Sequence, residues 1–226
     1  MALLVDHPHP GVARLLLDRP ERHNALDRTL VEALHAAVEA EREHVIVLGS
    51  AAPGRFCGGA DTAIDDAERA WVSDALYELY ARILELPRPV LAAIDGPAIG
   101  GGLQLAIACD MRVAAPGAWL GARGPGHGLA VAAWGLPTLV GRGRALDLCL
   151  TGRRVDAEEA LAIGLVDRVT DDPGGAAVTL AAEFAELDES AVARVKALVG
   201  RAGDPASALA EEAAGNQGWS GTLPPR

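Results

Sequence analysis

The chain alternates between short apolar runs and longer stretches with helical spacing. Val12-Ala13-Arg14-Leu15-Leu16-Leu17 reads as a strand. It is predicted to form a hairpin with Leu3 to Asp6, turning across His7-Pro8-His9-Pro10. Arg19 to Asn24 is a polar loop punctuated by Pro20. Asp27 stands where it can cap a helix whose Leu30, Leu34 and Val38 share one face. Val45 to Leu48 has the β-branched character of a buried strand. A second helix is predicted over Ala67 to Leu86, with Trp71, Leu76, Leu79, Tyr80 and Ile83 as its apolar set; Pro87 and Pro89 end it. Val90 to Ile94 and Met111 to Ala114 read as strands, separated by the turn Asp95-Gly96-Pro97 and a helix opened by Gly100-Gly101-Gly102 and running to about Ala108.

This order of strand, loop and helix predicts an α/β chain. Gly121 to Gly128 is a loop, and beyond Ala130 the pattern becomes mainly helical. Asp156 caps a segment that Gly164 stops, and Leu165 to Val169 reads as a last strand. Asp171 to Gly175 looks like a linker, followed by short helices over about Ala176 to Gly215.

Composition narrows the function. Half of the 226 residues are hydrophobic, enough for a sizeable core, and the formal net charge is -11. Such a field repels nucleic acid and anionic membranes. No apolar stretch is long enough to span a bilayer. The first residues, Met1 to Asp6, lack the basic flank and apolar core of a signal peptide. The expectation is a cytoplasmic protein with no nucleic-acid partner, no membrane span and no metal. Cys57, Cys109 and Cys149 show no metal-ligand or redox spacing and read as buried, reduced thiols.

Two glycine-rich segments each mark a strand-to-helix transition: Phe56-Cys57-Gly58-Gly59-Ala60-Asp61 and Ala98-Ile99-Gly100-Gly101-Gly102-Leu103-Gln104. Glycine permits positive φ and close backbone approach. A helix opening at the triplet leaves its first N–H groups unpaired and adds a positive dipole end. Two N–H donors from separate loops that converge on one oxygen make an oxyanion hole. Taken singly, each segment reads equally well as an ordinary tight turn.

Together, in order, they resemble the crotonase (enoyl-CoA hydratase/isomerase) superfamily. That superfamily's entry motif is matched by Leu17-Asp18-Arg19-Pro20-Glu21, then Asn24-Ala25-Leu26. Its phenylalanine-x-x-glycine-alanine-aspartate loop is matched by Phe56 to Asp61, and its glycine triplet segment by Asp95 to Gly102 followed by Cys109-Asp110. Leu150-Thr151-Gly152 to Ala160 matches a fourth motif. The likeness runs from about residue 11 to 170. It implies a ClpP-like ββα spiral core over residues 1–170 and a short helical trimerisation region over 171–226. It also implies a homotrimer or hexamer, and a coenzyme A thioester as substrate or ligand with no tightly bound cofactor. The Ala60 and Gly101 N–H groups would hold the thioester oxygen. Ala60, Asp61, Thr62 and Ala63 would line the CoA and pantetheine path, with Gly58, Gly59 and Gly101 also binding the substrate. Ala25 would lie beside it, and Arg22 near the nucleotide, with Arg55 as a further cation. Arg19 and Arg22 read equally as surface residues or as partners of Glu21 and Asp18. Trp134 reads equally as a wall of the acyl pocket or as core.

The chain departs from the superfamily where its chemistry is centred. Hydratases of this kind use two glutamates. The first position is Gln104 here, and the second aligns with Gly124; Ala118 to Leu129 contains no acid. An amide does not titrate usefully, and each lost acid–base group costs a reaction about 10²–10⁴-fold. His127 in the same loop is a candidate substitute, as are Asp61 and the Asp65-Asp66 pair. Some mycobacterial members that lack both glutamates share the Leu103-Gln104-Leu105 run, Gly96 to Ile99 and Val140 to Ala145; they are understood as fatty acyl-CoA binding proteins. Three readings follow. One is an enzyme of fatty-acid or related acyl-CoA metabolism with unorthodox acid–base groups: an isomerase, a decarboxylase (a lyase) or a thioester hydrolase. Another is a non-catalytic acyl-CoA binder or carrier. The third is a structural subunit with no acyl-CoA affinity.

Overall fold

The computed structural model describes residues 2–200 together with Ala206, Leu209, Ala210, Ala213, Ala214, Gln217 and Gly218. Strands β1 (Leu3–His9) and β2 (Val12–Leu17) form the expected antiparallel hairpin. The turn lies later than the sequence suggested. His7 to His9 continue the strand, and the reversal falls at Pro10-Gly11, where Gly11 takes φ +79°. Pro8 is tolerated because β1 is the edge of the sheet.

Helix α1 (Arg28–Ala40) begins where Asp27 accepts the Leu30 N–H at 2.9 Å, and it buries Leu30, Val31, Leu34 and Val38. Strand β3 (Val45–Ser50) follows, then helix α2 (Asp66–Glu85). The Asp65 side chain caps α2 by accepting the Glu68 N–H, so this acid is structural. Next come β4 (Val90–Ile94), β5 (Ala98–Ile99), α3 (Gly101–Ala108), β6 (Met111–Ala114) and β7 (Trp119–Gly121). The later chain holds α4 (Leu136–Val140), α5 (Arg142–Thr151), β8 (Val155–Asp156), α6 (Ala157–Ala162), β9 (Arg168–Val169), α7 (Pro173–Ala185) and α8 (Glu189–Gly200).

Six strands form the main sheet in the order β1-β2-β3-β4-β6-β9, all pairs parallel except the hairpin. The parallel strands are apolar on both faces because both are covered. Ile46, Leu48, Ala92, Ile94 and Ala114 face the main core with α1, α2 and α3. Val45, Val47, Leu91, Ala93 and Val113 face Ala177, Leu180 and Ala181 of α7. The stretch read as a linker therefore begins a core helix. Pro173 sits in its first turn, and Asp172 caps it by accepting the Gly175 N–H at 2.8 Å. The strand expected over Leu165 to Val169 is reduced to Arg168–Val169. Leu165 and Val166 are buried in the turn before it, and the Leu165 carbonyl accepts from buried Arg112. The short helices expected after α8 fall mostly outside the described residues.

A second sheet was not legible in the sequence. Its strands β5, β7 and β8 have two or three residues each, too few to show a period of two. It aims β5 at the start of α3. The first glycine segment is pinned to it by a parallel bridge between Cys57 and Ala98. This crossing excludes side chains. A Cβ on Gly102 would lie 2.3 Å from the Cys57 carbonyl oxygen, and one on Gly59 would lie 2.8 Å from that of Ile99.

Gly102→Ala is expected to destabilise the fold by about 1–3 kcal/mol through overpacking at this crossing. Gly143→Ala, in open space on helix α5, is expected to be neutral or to stabilise by roughly 0.5–1 kcal/mol. Urea denaturation midpoints of the two variants check the contrast.

Candidate active site

The two glycine segments meet at Ala60 and Gly101. Leu26 and Ala60 form a parallel bridge that uses the neighbouring peptides. The Leu26 N–H donates to the Gly59 carbonyl at 2.8 Å, and the Asp61 N–H donates to Leu26 at 2.9 Å. The Ala60 N–H is thereby turned away from Leu26. It has no acceptor among the described residues, and neither has the Gly101 N–H in the first turn of α3. A Cβ on Gly59 would stand 3.5 Å from the Gly101 nitrogen, which shows how closely the segments pass. The Tyr80 hydroxyl donates to the Gly101 carbonyl at 2.8 Å and steadies this first turn.

Ala60 and Gly101 both line one cavity of about 200 Å³, with Gly58, Gly59, Asp61, Thr62, Gln104 and His127 also in its wall. A wider cleft of about 790 Å³ adjoins it and shares Gly58, Ala60, Asp61, Thr62 and Ile99. Arg22, Ala25, Arg55 and Ala63 line the cleft. The residues assigned to the coenzyme path are thus brought together, Gly59 and Gly101 on the cavity side and Arg22, Ala25 and Ala63 on the cleft side.

An ionic clasp holds the floor between the two spaces. Asp61 is buried and takes Arg22 Nη2 at 2.7 Å, Arg19 Nη2 at 3.3 Å and the Ala63 N–H at 2.9 Å. Arg19 also reaches Asp27 at 3.0 Å and the Ala25 carbonyl. The partner of both arginines is therefore Asp61, which neither Glu21 nor Asp18 replaces. Burial of Asp61 pushes its acidity down, yet the two guanidiniums and the Ala63 N–H outweigh burial and hold it below the ordinary carboxylate range. A carboxylate so fixed is a poor base. Asn24 completes the entry loop at φ 53°, donating to Ser50 Oγ and the Phe56 carbonyl and accepting from the Arg19 N–H. Sequence reasoning quoted Asn24 only as part of a motif. In a loop that is polar throughout, nothing local marked it as the buried member.

Gln104 is buried, and its Oε1 accepts the Ala132 N–H at 3.1 Å and Trp134 Nε1–H at 3.0 Å. Both partners are donors only, so the amide cannot be flipped. Its NH₂ is left as a donor at the cavity. Trp134 is buried and belongs to the core, stacked on Tyr80 at 6.3 Å. It backs Gln104 and does not line the cavity. Gly124 also lies outside the lining. A Cβ there would sit 2.5 Å from the Leu129 carbonyl oxygen and 2.8 Å from Val131, so no glutamate fits in this loop conformation. His127 ends the short 3-10 turn Pro125–His127 and faces the cavity. Its Nδ1 is buried without a partner.

Cys57 and Cys109 are buried thiols, as the sequence indicated, whereas Cys149 is only half-buried. Burial pushes both Cys57 and Cys109 up to about 12. Among the described residues, one cluster has metal-ligand types, His7 with Glu41 and Glu43, and it lines neither cavity nor cleft.

The sequence model of the enoyl-CoA hydratase/isomerase family matches residues 8–219. The probable enoyl-CoA hydratase echA6 of Mycobacterium leprae is 43% identical over 169 residues, covering 70% of this chain and 68% of that protein. The bovine mitochondrial enoyl-CoA hydratase domain-containing protein 2 is 38% identical, covering 79% of this chain and 65% of its own length. The chain thus spans about two thirds of these relatives. The Bacillus anthracis enoyl-CoA hydratase structure superposes with a TM-score of 0.82 at 32% identity, covering 96% of this chain and 90% of that one. A monofunctional enoyl-CoA isomerase from Mycobacterium smegmatis superposes at 0.75 with 33% identity, covering 90% of this chain and 94% of that one. The fold is that of the crotonases.

The clasp sets an acid dependence. Asp61 is depressed below its ordinary 3.8. Its stabilisation is therefore fully present above that value and is lost as pH falls through the folded value. Asp61→Asn is expected to cost on the order of 2 kcal/mol at pH 7. Its stability should then fall less steeply than wild type below about pH 4. Chemical denaturation across that window measures both effects.

Proposed function

This chain belongs to the enoyl-CoA hydratase/isomerase family, and from that premise we propose that its cavity and cleft bind one acyl-coenzyme A thioester. The family acts on coenzyme A thioesters. The observation that carries the reading is the pair of unpaired N–H groups, Ala60 and Gly101, in the wall of one small cavity. A thioester oxygen between them would satisfy both donors and draw on the dipole of α3.

The remaining geometry fits the rest of such a ligand. The cavity is small and mostly apolar around Leu76, Ile99, Leu129 and Val131, suited to a short acyl group. The cleft carries Arg22 and Arg55 on its wall, with His23 held by Arg55 at 2.6 Å. The two arginines supply local positive charge for a polyanionic ligand on a chain whose net charge is -11. Hydration of a conjugated double bond needs groups that accept a proton from water and return one to carbon. Gln104 offers a donor where such an acceptor is needed, and Gly124 offers nothing. Binding and polarisation of the thioester is the function the site supports. Leu146, Leu150 and Leu161 are exposed apolar side chains on α5 and α6, which supports association into the trimer expected of the fold.

Calorimetry with butyryl-CoA, its thioether analogue and free coenzyme A tests the reading. Butyryl-CoA should bind saturably. The thioether, which lacks the carbonyl, should bind about tenfold more weakly, the worth of two ordinary hydrogen bonds. Equal affinities for thioester and thioether would remove the oxyanion hole from the account. Hydration of crotonyl-CoA at an enzymatic rate would overturn the reading of Gln104 and Gly124.

A further inference from the structure

The cavity wall holds one proton-exchanging group for which binding alone has no use. We propose that His127 is the acid–base residue of this site, removing a proton from the carbon next to the thioester carbonyl and returning it. The proposal rests on the acyl-CoA binding put forward above.

Elimination within the cavity leads to this residue. The titratable groups of its wall are Asp61, Arg69, Tyr77, Arg123 and His127. Asp61 is committed to Arg22 and Arg19 and stays ionised. Arg69 pairs with Asp66 and donates to the Ile64 carbonyl, and Arg123 lies 5.9 Å over the Trp119 ring. Guanidinium groups do not give up their protons in proteins, and a phenol keeps its own at neutral pH. The Gln104 amide is neither acid nor base in this range. Imidazole is the remaining group, and it is the side chain suited to exchanging protons near neutrality.

The setting of His127 differs from that of a surface histidine. Its Nδ1 is shut off from solvent, and no hydrogen bond to either ring nitrogen is formed within the described residues. A buried polar nitrogen left unpartnered costs about 1–3 kcal/mol. His7, His35 and His44 in the same chain each find a partner. The flanking Gly126 and Gly128 have open space at their Cβ positions, and Gly128 turns the chain at φ +72°.

The step is balanced without a co-reactant. The C2–H bond breaks and its proton passes to His127 Nε2, the ring nitrogen that is not shut off. The electron pair of that bond forms the C1–C2 double bond, while the carbonyl pair moves to the thioester oxygen. The Ala60 and Gly101 N–H groups then hold the resulting enolate oxygen, and the Gln104 NH₂ adds a donor to the same wall. Return of the proton to C2 restores the thioester. With a 3-enoyl thioester, its return to C4 instead moves the double bond into conjugation.

Solvent exchange reads this step directly. Full-length protein is incubated with butyryl-CoA in D₂O, and loss of the C2 proton signal is followed by NMR. Exchange above the protein-free rate is expected. His127→Gln should slow it about 10²–10⁴-fold while calorimetric affinity for butyryl-CoA stays unchanged, and added imidazole should restore exchange to His127→Ala. Retained affinity also shows that either variant is folded. Exchange that is indifferent to both substitutions, or bound butyryl-CoA with no exchange above background, would overturn the proposal. Absence of any butyryl-CoA binding would instead overturn the binding reading, and this one with it.

Discussion

The site depends on backbone passing backbone without side chains between. Where the Cys57 segment crosses the start of α3, Gly59 and Gly102 occupy positions at which any Cβ would overlap a carbonyl oxygen. The Cys57–Ala98 bridge fixes the crossing, and the short second sheet fixes Ala98. Only because these loops touch can N–H groups some forty residues apart face one cavity. Gly96 does the same job one turn earlier, with its Cβ position 2.3 Å from the Gly54 carbonyl oxygen. The glycines thus serve approach as well as turning, and the unpaired donors follow from that approach.

Charge is arranged around this crossing to hold it and then to receive a ligand. Asp61 sits one residue beyond the Ala60 donor and is fixed by two arginines from the entry loop. The clasp joins the Arg19–Leu26 segment to the first glycine segment. It also commits Asp61, the one carboxylate lining the cavity among the described residues, to structure. The cavity wall is left rich in donors: two backbone N–H groups, the Gln104 amide and two arginines. Such a wall polarises a carbonyl well and activates water poorly. That balance separates this chain's site from a hydratase built on paired glutamates. On the proposal made above, His127 is the group on which proton chemistry here turns.

Aromatic packing carries the same site from behind. Tyr80 and Trp134 stack, one bonding the Gly101 carbonyl and the other the Gln104 oxygen. Two side chains that touch no ligand position thereby set both the first turn of α3 and the direction of the Gln104 amide. Trp134 read from the sequence as pocket wall or core, and packing resolved it to core. Its indole N–H is the reason Gln104 points its oxygen inward.

The sequence by itself determined the α/β class, the main strands and helices, the caps at Asp27 and Asp156, and the two glycine segments. Periodicity, capping chemistry and glycine clusters are local signals, and each is visible within a dozen residues. The resemblance to the crotonases further placed Gln104 and Gly124 at the positions of the family's two glutamates, and no acid lies in the surrounding Ala118 to Leu129 segment. Tertiary structure alone decided the rest. Strands of two or three residues carry no period, so the second sheet and its aim at α3 could not be read. The linker-like Asp171 to Gly175 became the start of α7, because its apolar stripe covers a sheet face assembled from five distant strands. The partner of Arg19 and Arg22 lay about forty residues away in Asp61, beyond the reach of neighbour reasoning. Space at Gly124 and the unpartnered nitrogen of His127 are properties of packing. No residue type announces them, since they depend on what the remote chain leaves unfilled.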